Sequence, residues 1–500
     1  MEKTKKALSS QITYYFVGKL IAQFVILLVP LFLVRYFSPA DYGIFRQVLL
    51  VYIFFFRIIP FGLNKSLYYF VSEDELNENI YFTNTFIFLF ISGTFTSLIL
   101  YFFSLDISLF FHSPEIEKYL PLCGIYILLR LLSSPFEILL VINSQAEIAS
   151  RVSILTEVVR SIMLISMVSF FGTIYSAIIG LLIFSFIRFL VFLIFIFLYS
   201  KPKIGKQNWT KFKSQLNYGA PIGISSLIGT FYKRIDKFLV LTFYTPQSFA
   251  VYVIGCYHVP FLNLLFNSVG NVTLPRAVSL LKENKVNQFL VLWNQILVRL
   301  SFVGIGTFFL FQLIAEDFIT LLFTDRYFES TLLFKISLFL ILAHMLLYGI
   351  ILRSLGNTSE IFKSNLTAFL ISVPLSWYLI SNFGLVGAAT CSVILFYINT
   401  ILQVYFTKIR LNRSLTDLFP LGTMGRLFVI AFLLFYSILH LDGELTFSIS
   451  QIYEINKLFN IIVNCLIFLP FYIYFCKISG TYDIFKESFV KALISKVYRT

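Results

Sequence analysis

The run LNYGAPIGISSLIGTFYKRIDKFLVLTFYTPQSFAVY, residues 216–252, decides the fold. It follows a Lys-rich segment, continues as an apolar stretch of membrane length, and ends at the turn Thr245-Pro246-Gln247-Ser248. Four charges, Lys233, Arg234, Asp236 and Lys237, stand in its outer half. A charge in hydrocarbon costs about 2.5–3.5 kcal/mol on insertion scales, so such residues face a cavity or a partner. Asp236 then has two readings: an ion-coupling carboxylate, or a fixed partner of Lys233 one turn away.

The rest of the chain has the same character. Of its 500 residues 58% are apolar and 13% charged, where soluble domains carry about 25% charge. The 61 Phe and 29 Tyr suit lipid-facing surfaces and interfacial belts. The net charge of +14 would suit nucleic acid, but the basic residues fall between apolar segments, where the positive-inside rule accounts for most of them. Cys123, Cys256, Cys391, Cys465 and Cys476 are far apart in sequence and show no metal-ligand or redox spacing, which argues against metal or disulfide roles. The basic N-terminus runs into a span without a small-residue cleavage site and reads as retained.

Apolar runs of about 20 residues predict fourteen spans. Their centres fall near Ala22, Arg57, Ser92, Leu131, Arg160, Ile187, Thr230, Phe261, Ser301, Ala343, Phe369, Phe396, Phe432 and Ile467. Alternating the loops puts Lys3, Arg151, the lysines of 201–213, Arg276, Lys363, Lys408 and the basic tail on one side. The other side holds only Arg35, Lys118, Arg326 and Lys457. That asymmetry predicts cytoplasmic termini.

The sequence also repeats. LVRYFSPADYGIF (33–45) matches LVLTFYTPQSFAVY (239–252), aligning Pro39 with Pro246. QAEIASRVS (145–153) matches TSEIFKSNL (358–366), and SFFGTIYSA (169–177) matches SNFGLVGAA (381–389). A constant order and a nearly constant offset imply a duplicated six-span unit. Because six is even, the copies share an orientation, with a pseudo-two-fold axis along the membrane normal. The expected fold is all-α: six-helix bundles at 1–200 and 215–410, a basic cytoplasmic linker at 201–214, and two extra helices with a basic tail at 411–500.

Tyr218, Pro221, Asp236, Lys237, Pro246 and Tyr252, together with this whole-chain pattern, resemble the start of the second half of a Wzx-type polysaccharide flippase. Those proteins belong to the multidrug/oligosaccharidyl-lipid/polysaccharide exporter superfamily. The resemblance implies a bacterial inner-membrane carrier of undecaprenyl-diphosphate-linked oligosaccharide for O-antigen, lipopolysaccharide or capsule synthesis. It also implies a polysaccharide polymerase and a chain-length regulator as partners besides membrane lipids, and no cofactor.

The residues carry a matching reading of their own. Arg57, Arg130, Arg160, Arg188 and Arg299 each lie at or near a span centre, where guanidinia left in lipid would cost about 3 kcal/mol apiece. Glu157 and Arg160 are spaced to pair on one helix, and Arg130 and Glu137 share a face. The remaining central positive charge suits phosphate oxygens, which a guanidinium binds as a fork while staying ionised. Arg57, Arg130, Arg188, Arg299, Arg234 and Lys19 are therefore the expected substrate-binding set, with Asp236 and Glu157 as ion-coupling candidates. His258 and His344 near span centres, and Pro30, Pro60, Pro135, Pro221, Pro260 and Pro374 within spans, read as packing residues and bending points. No zinc-protease, P-loop or nucleophile-elbow motif occurs, and the outer loops near 104–118 and 440–456 are too short for a catalytic domain. A multidrug or organic-cation exporter and a lipid II flippase are the alternatives of the same fold. A membrane polysaccharide polymerase or ligase is the alternative of another class.

Overall fold

The computed structural model describes residues 24–143, 145–198, 204–259, 262–445 and 453–480. Among them the regular structure is helix without a strand, and the chain divides into two compact units, Met1–Val253 and Ile254–Thr500.

The first unit opens with α1 (Phe24–Tyr36). There follow α2 (Pro39–Ile58), α3 (Leu63–Glu73), α4 (Glu78–Phe102), α5 (Ser104–Phe110), α6 (Leu120–Leu132), α7 (Phe136–Ile142), α8 (Ala146–Phe171) and α9 (Ile174–Leu198). It closes with α10 (Trp209–Tyr232), α11 (Ile235–Phe243) and the bulk of α12 (Pro246–Gly255). Prolines set the breaks. After Pro60 the chain turns through Phe61 (φ 43°) and Gly62 (φ 81°), and α6 gives way to α7 at Ser133–Pro135. Phe82, Phe136, Leu139, Phe192 and Ile196 form one buried cluster, whereas Phe170, Phe171, Phe197 and Leu198 stay exposed. On a soluble protein such a surface would be an association patch; against acyl chains it is at rest.

α2 lies along α10, α11 and the start of α12 in a seam that small residues close at both ends. A β-carbon at Gly43 would overlap the Pro246 carbonyl, and one at Gly62 would overlap Gly219. Between these contacts the Phe54 ring meets Phe231 and Phe238, each with centroids 5.0 Å apart. At the end of the seam nearest α3, Lys211 Nζ donates to Asp74 Oδ2 at 2.8 Å. The Lys211 ammonium, then Asn77 and Tyr81, hold the Asp74 carboxyl below its ordinary value. Because that folded value is depressed, the pair's contribution is present above about pH 4 and is lost only as pH falls through the lower folded value.

The second unit contains α13 (Leu262–Lys282), α14 (Val286–Phe323), α15 (Ser330–Ser337), α16 (Phe339–His344) and α17 (Tyr348–Ser354). α18 (Thr358–Leu411), α19 (Leu415–Leu418), α20 (Leu421–Leu445) and α21 (Tyr453–Ile478) complete it. α18 is two legs that meet at Gly384 (φ 61°, ψ −140°). Nested pairs show the legs folded back on each other: a β-carbon at Gly387 would overlap Leu379 O, Ser376 Oγ lies 3.1 Å from Cys391 Sγ, and Asn399 Nδ2 donates to Asn365 Oδ1 at 2.8 Å. Arg410 and Glu360 close the open end. α20 and α21 pack on α14, where the Tyr472 ring covers Gly306 and its hydroxyl donates to Phe302 O at 3.0 Å.

By length and composition ten helices can cross a membrane among the described residues. The difference from the fourteen spans expected has physical causes. The expected spans at Phe369 and Phe396 are the two legs of α18, which count as one stretch, Ser359–Leu411, because almost no loop separates them at Gly384. The seventh and eighth are discontinuous: α10 and α11 part at Lys233–Arg234, and α12 and α13 part beyond Gly255. The first centre, Ala22, lies outside the described residues, as does the eighth, Phe261.

The three repeat pairs share local structure. Pro39 and Pro246 each begin a helix, after Ser38 and Thr245, whose hydroxyls accept from the Asp41 and Ser248 amides. Glu147 and Glu360 stand in the first turns of α8 and α18. Gly172 and Gly384 both take positive φ. At Gly172 an added β-carbon meets nothing within 4 Å. Gly172→Ala should therefore cost only the backbone strain, about 1 kcal/mol. Gly43→Ala must displace the Pro246 backbone and should cost about 3 kcal/mol. Thermal unfolding of the two variants in detergent checks the ranking, and equal losses would refute the close α2–α12 contact.

Candidate functional site

The first unit encloses a polar cavity of about 220 Å³ lined by Phe56, Arg130, Ser134, Glu137, Ser153, Thr156, Glu157 and Arg188. Every helix that lines it is apolar overall, so each charge there depends on what the neighbouring helices supply.

Arg188, on α9 and 8% exposed, is the most fully satisfied. Its Nη2 donates to both Glu137 oxygens at 2.8 Å, and its Nη1 donates to Thr156 Oγ1 at 2.9 Å. Nε reaches Ser133 Oγ at 3.3 Å, beside the break between α6 and α7. Arg160 donates to Glu157 Oε2 from Nη2 at 2.6 Å and from Nε at 3.0 Å, the local pair that their i,i+3 spacing predicts. Arg130 differs. Its Nε donates to Tyr52 Oη at 3.3 Å, and its guanidinium carbon stands 5.7 Å from the Phe56 ring centroid and 5.9 Å from that of Phe184. Nη1 is buried without a hydrogen-bond partner. Glu137, which the spacing puts on a face with Arg130, is held by Arg188 instead. Two carboxylates thus serve three guanidinia, and Arg130 carries the excess charge.

A second group of cations lies along the α2–α10 seam. Arg234, at the break between α10 and α11, is within electrostatic reach of Arg57 and Arg46, both like-charged, and of Asp236. Arg46 stands over the Tyr42 ring at 5.8 Å. Among the described residues no carboxylate forms an ion pair with Arg46, Arg57 or Arg234. Asp236, 3% exposed, accepts from Tyr252 Oη at 2.5 Å and from Lys237 Nζ at 3.4 Å. This repulsive cluster can be relieved by a multivalent anion, since phosphate oxygens accept from several guanidinia at once.

The expected site residues are therefore distributed. Arg130, Arg188 and Glu157 share the cavity, and Arg57, Arg234 and Asp236 share the seam. Arg299 lies within α14 in the second unit, its Nε buried without a hydrogen-bond partner. Lys19 lies outside the described residues. Sequence reasoning missed Arg46, which lies within α2 but well before the span centre expected at Arg57. It also missed Tyr52, Ser133 and Thr156, whose uncharged side chains give no signal in a charge search. Among the described residues no group of three or more His, Cys, Asp or Glu could hold a metal.

Comparison with known proteins gives concordant results. A family model described as polysaccharide biosynthesis protein matches residues 32–332. The capsular polysaccharide biosynthesis protein CapF of Staphylococcus aureus is 24% identical over 203 residues, 40% of this chain and 51% of that protein. The match thus spans about half the length of that relative. The fold is similar to lipid II flippase MurJ in an inward closed conformation, with TM-score 0.73 and 15% identity over 93% of this chain and 99% of that one. It is also similar to an inward-facing multidrug resistance MATE family transporter, with TM-score 0.61 and 14% identity over 78% and 94%.

The pairing pattern makes a stability prediction. Glu137→Leu leaves Arg188 buried without its carboxylate and should destabilise the protein by about 3–5 kcal/mol. The double variant Glu137→Leu/Arg188→Met removes both charges and should recover most of that loss. Unfolding in detergent measures both; a double variant no more stable than the single one would show that the pair does not act as a unit.

Proposed function

The chain belongs to the polysaccharide biosynthesis protein family, and from that premise we propose that it is a flippase. It carries a polyprenyl-diphosphate-linked oligosaccharide from the cytoplasmic to the outer leaflet of the inner membrane, for assembly of a surface polysaccharide. The observation that carries this reading is the set of guanidinia that form no ion pair with a carboxylate among the described residues, Arg57 and Arg234 on the seam and Arg130 in the cavity. Each keeps its charge at any physiological pH, since arginine does not deprotonate in proteins. A diphosphate offers that set several acceptor oxygens and a charge of about −2, so it replaces a repulsion by charge-assisted hydrogen bonds.

In this reading Arg188 and Arg160 hold Glu137 and Glu157 in place, and their role is to shape the cavity beside Arg130. The free guanidinia take the diphosphate, while hydroxyls of Ser134, Ser153 and Thr156 face the sugar end with Phe56 as an apolar wall. The capsular relative supports a surface-glycan substrate. The likeness to a lipid II flippase supports a flippase mode of action and keeps lipid II as the second substrate to be tried. An organic cation is disfavoured, because an excess of arginine repels it.

The electrical work has a definite sign. Outward movement of about two negative charges runs down an inside-negative potential and releases about 2.3 kcal/mol per charge at 100 mV. The protein's own charges return each cycle and cancel. A potential alone therefore suffices as a driving force, and Asp236 is needed for coupling only if an ion gradient also contributes.

Reconstituted vesicles test the proposal. Arg57→Gln, Arg234→Gln and Arg130→Gln should each lower transport of a polyprenyl-diphosphate glycan about tenfold or more, one charged hydrogen bond being worth about 1.5–3 kcal/mol. An imposed inside-negative potential should drive transport without a proton or Na⁺ gradient. Wild-type rates in all three variants would sink the anion site. Transport that ignores the potential, follows an ion gradient and is lost in Asp236→Asn would replace the potential-driven scheme by antiport.

A further inference from the structure

We propose that residues 205–215, the segment that joins the two sequence repeats, form a latch whose release from α3–α4 is a step of the transport cycle. The latch deepens the transporter reading above and rests on it.

The segment is held by a network of neutral amides, buried at Asn84 and Gln215 and open to solvent at Asn208. Asn84, on α4 and 1% exposed, pairs its side-chain amide with both backbone groups of Asn208: Nδ2 donates to the carbonyl at 3.2 Å and Oδ1 accepts from the amide at 3.3 Å. Asn208 is committed on its other side as well, its Oδ1 capping α10 through the Lys211 amide at 3.0 Å. One turn further, the fully buried Gln215 donates from Nε2 to Tyr81 O and Thr85 Oγ1, each at 3.1 Å, and accepts at Oε1 from Asn84 Nδ2 at 3.3 Å. Upstream, the Gly205 amide donates to Thr83 Oγ1 at 2.8 Å. The Lys211–Asp74 ion pair closes the half-exposed rim.

Three features make this a releasable contact rather than a permanent joint. Apart from the Phe212 ring, which packs on Phe88, the interior holds amides and hydroxyls, which water can serve equally well once the contact opens, whereas a buried ion pair would strand a charge on breaking. The single ion pair lies at the rim, where solvent takes over both partners. Beyond the network the α10 backbone rests on the α2–α3 turn at Gly219 and Gly223 against Phe61 and Gly62, and the neighbouring Tyr218 ring stacks on that of Tyr69, centroids 4.7 Å apart, with both residues exposed. α10 itself supplies bending points at Pro221 and at its end, Lys233–Arg234. While latched, the first turns of α10 are tied to α3 and α4; once released, they are free to follow the second repeat.

Two measurements on the full-length protein decide it. The first is hydrogen exchange without substrate. If the latch opens as a unit, the amides of 205–215 exchange together and faster than those of α4; exchange of the segment only when α4 also opens would overturn the proposal. The second uses Asn79→Cys/Gly205→Cys in proteoliposomes, a pair whose β-carbons would lie about as close as a disulfide requires, with each single-cysteine variant as control. Closing the disulfide should reduce transport of a polyprenyl-diphosphate glycan at least tenfold, and reductant should restore it; a cross-linked protein that transports at the reduced rate would also overturn it. If the reduced protein moves no polyprenyl-diphosphate glycan, the substrate assignment fails, and exchange alone judges the latch.

Discussion

A guanidinium inside an apolar helix bundle has no protonation escape, so the protein must supply a counter-charge or leave the demand open. The first unit does both. Arg188 receives a carboxylate and two hydroxyls, Arg160 receives a carboxylate on its own helix, and Arg130 receives one phenol and two ring faces. Arg57 and Arg234 receive one another's repulsion. This descending series orders the cavity and the seam. The satisfied arginines tie helices together, and the others hold charge that no carboxylate ion pair balances among the described residues.

The features legible in the sequence were those with a period or a charge. Apolar runs located the spans, and the repeats located helix starts at Pro39 and Pro246 and positive-φ glycines at Gly172 and Gly384. The Glu157–Arg160 pair followed from spacing on one helix. Pairing across helices did not follow. Nothing local distinguishes Glu137 as the partner of Arg188, 51 residues away, from Glu137 as the partner of Arg130, one face apart on the same span. Asp236 Oδ2 likewise accepts from Tyr252, sixteen residues on, as well as from the adjacent Lys237.

Helix breaks were legible at proline and between span centres. Pro60 and Pro135 sit at real interruptions, and the turn at Gly384 falls between the centres expected at Phe369 and Phe396. The parting of α10 from α11 coincides with the charged run at Lys233–Arg234 that singled out this stretch at the start. There charge and break are one feature: an interrupted helix frees backbone groups that polar side chains and a ligand can serve.

The Gly384 hairpin bears on how the chain enters the bilayer. Its legs are joined by a turn with almost no loop, and their polar side chains, Asn365 with Asn399 and Ser376 with Cys391, face each other. Either leg threaded alone would present those groups to acyl chains, so the translocon meets a pair best released together as a preassembled helical hairpin. The tight turn also leaves little room for an epitope or a glycosylation acceptor. Reporter insertion near 384 would pry the legs apart, and topology mapping of this region is better done from the far ends, at 357 and 412.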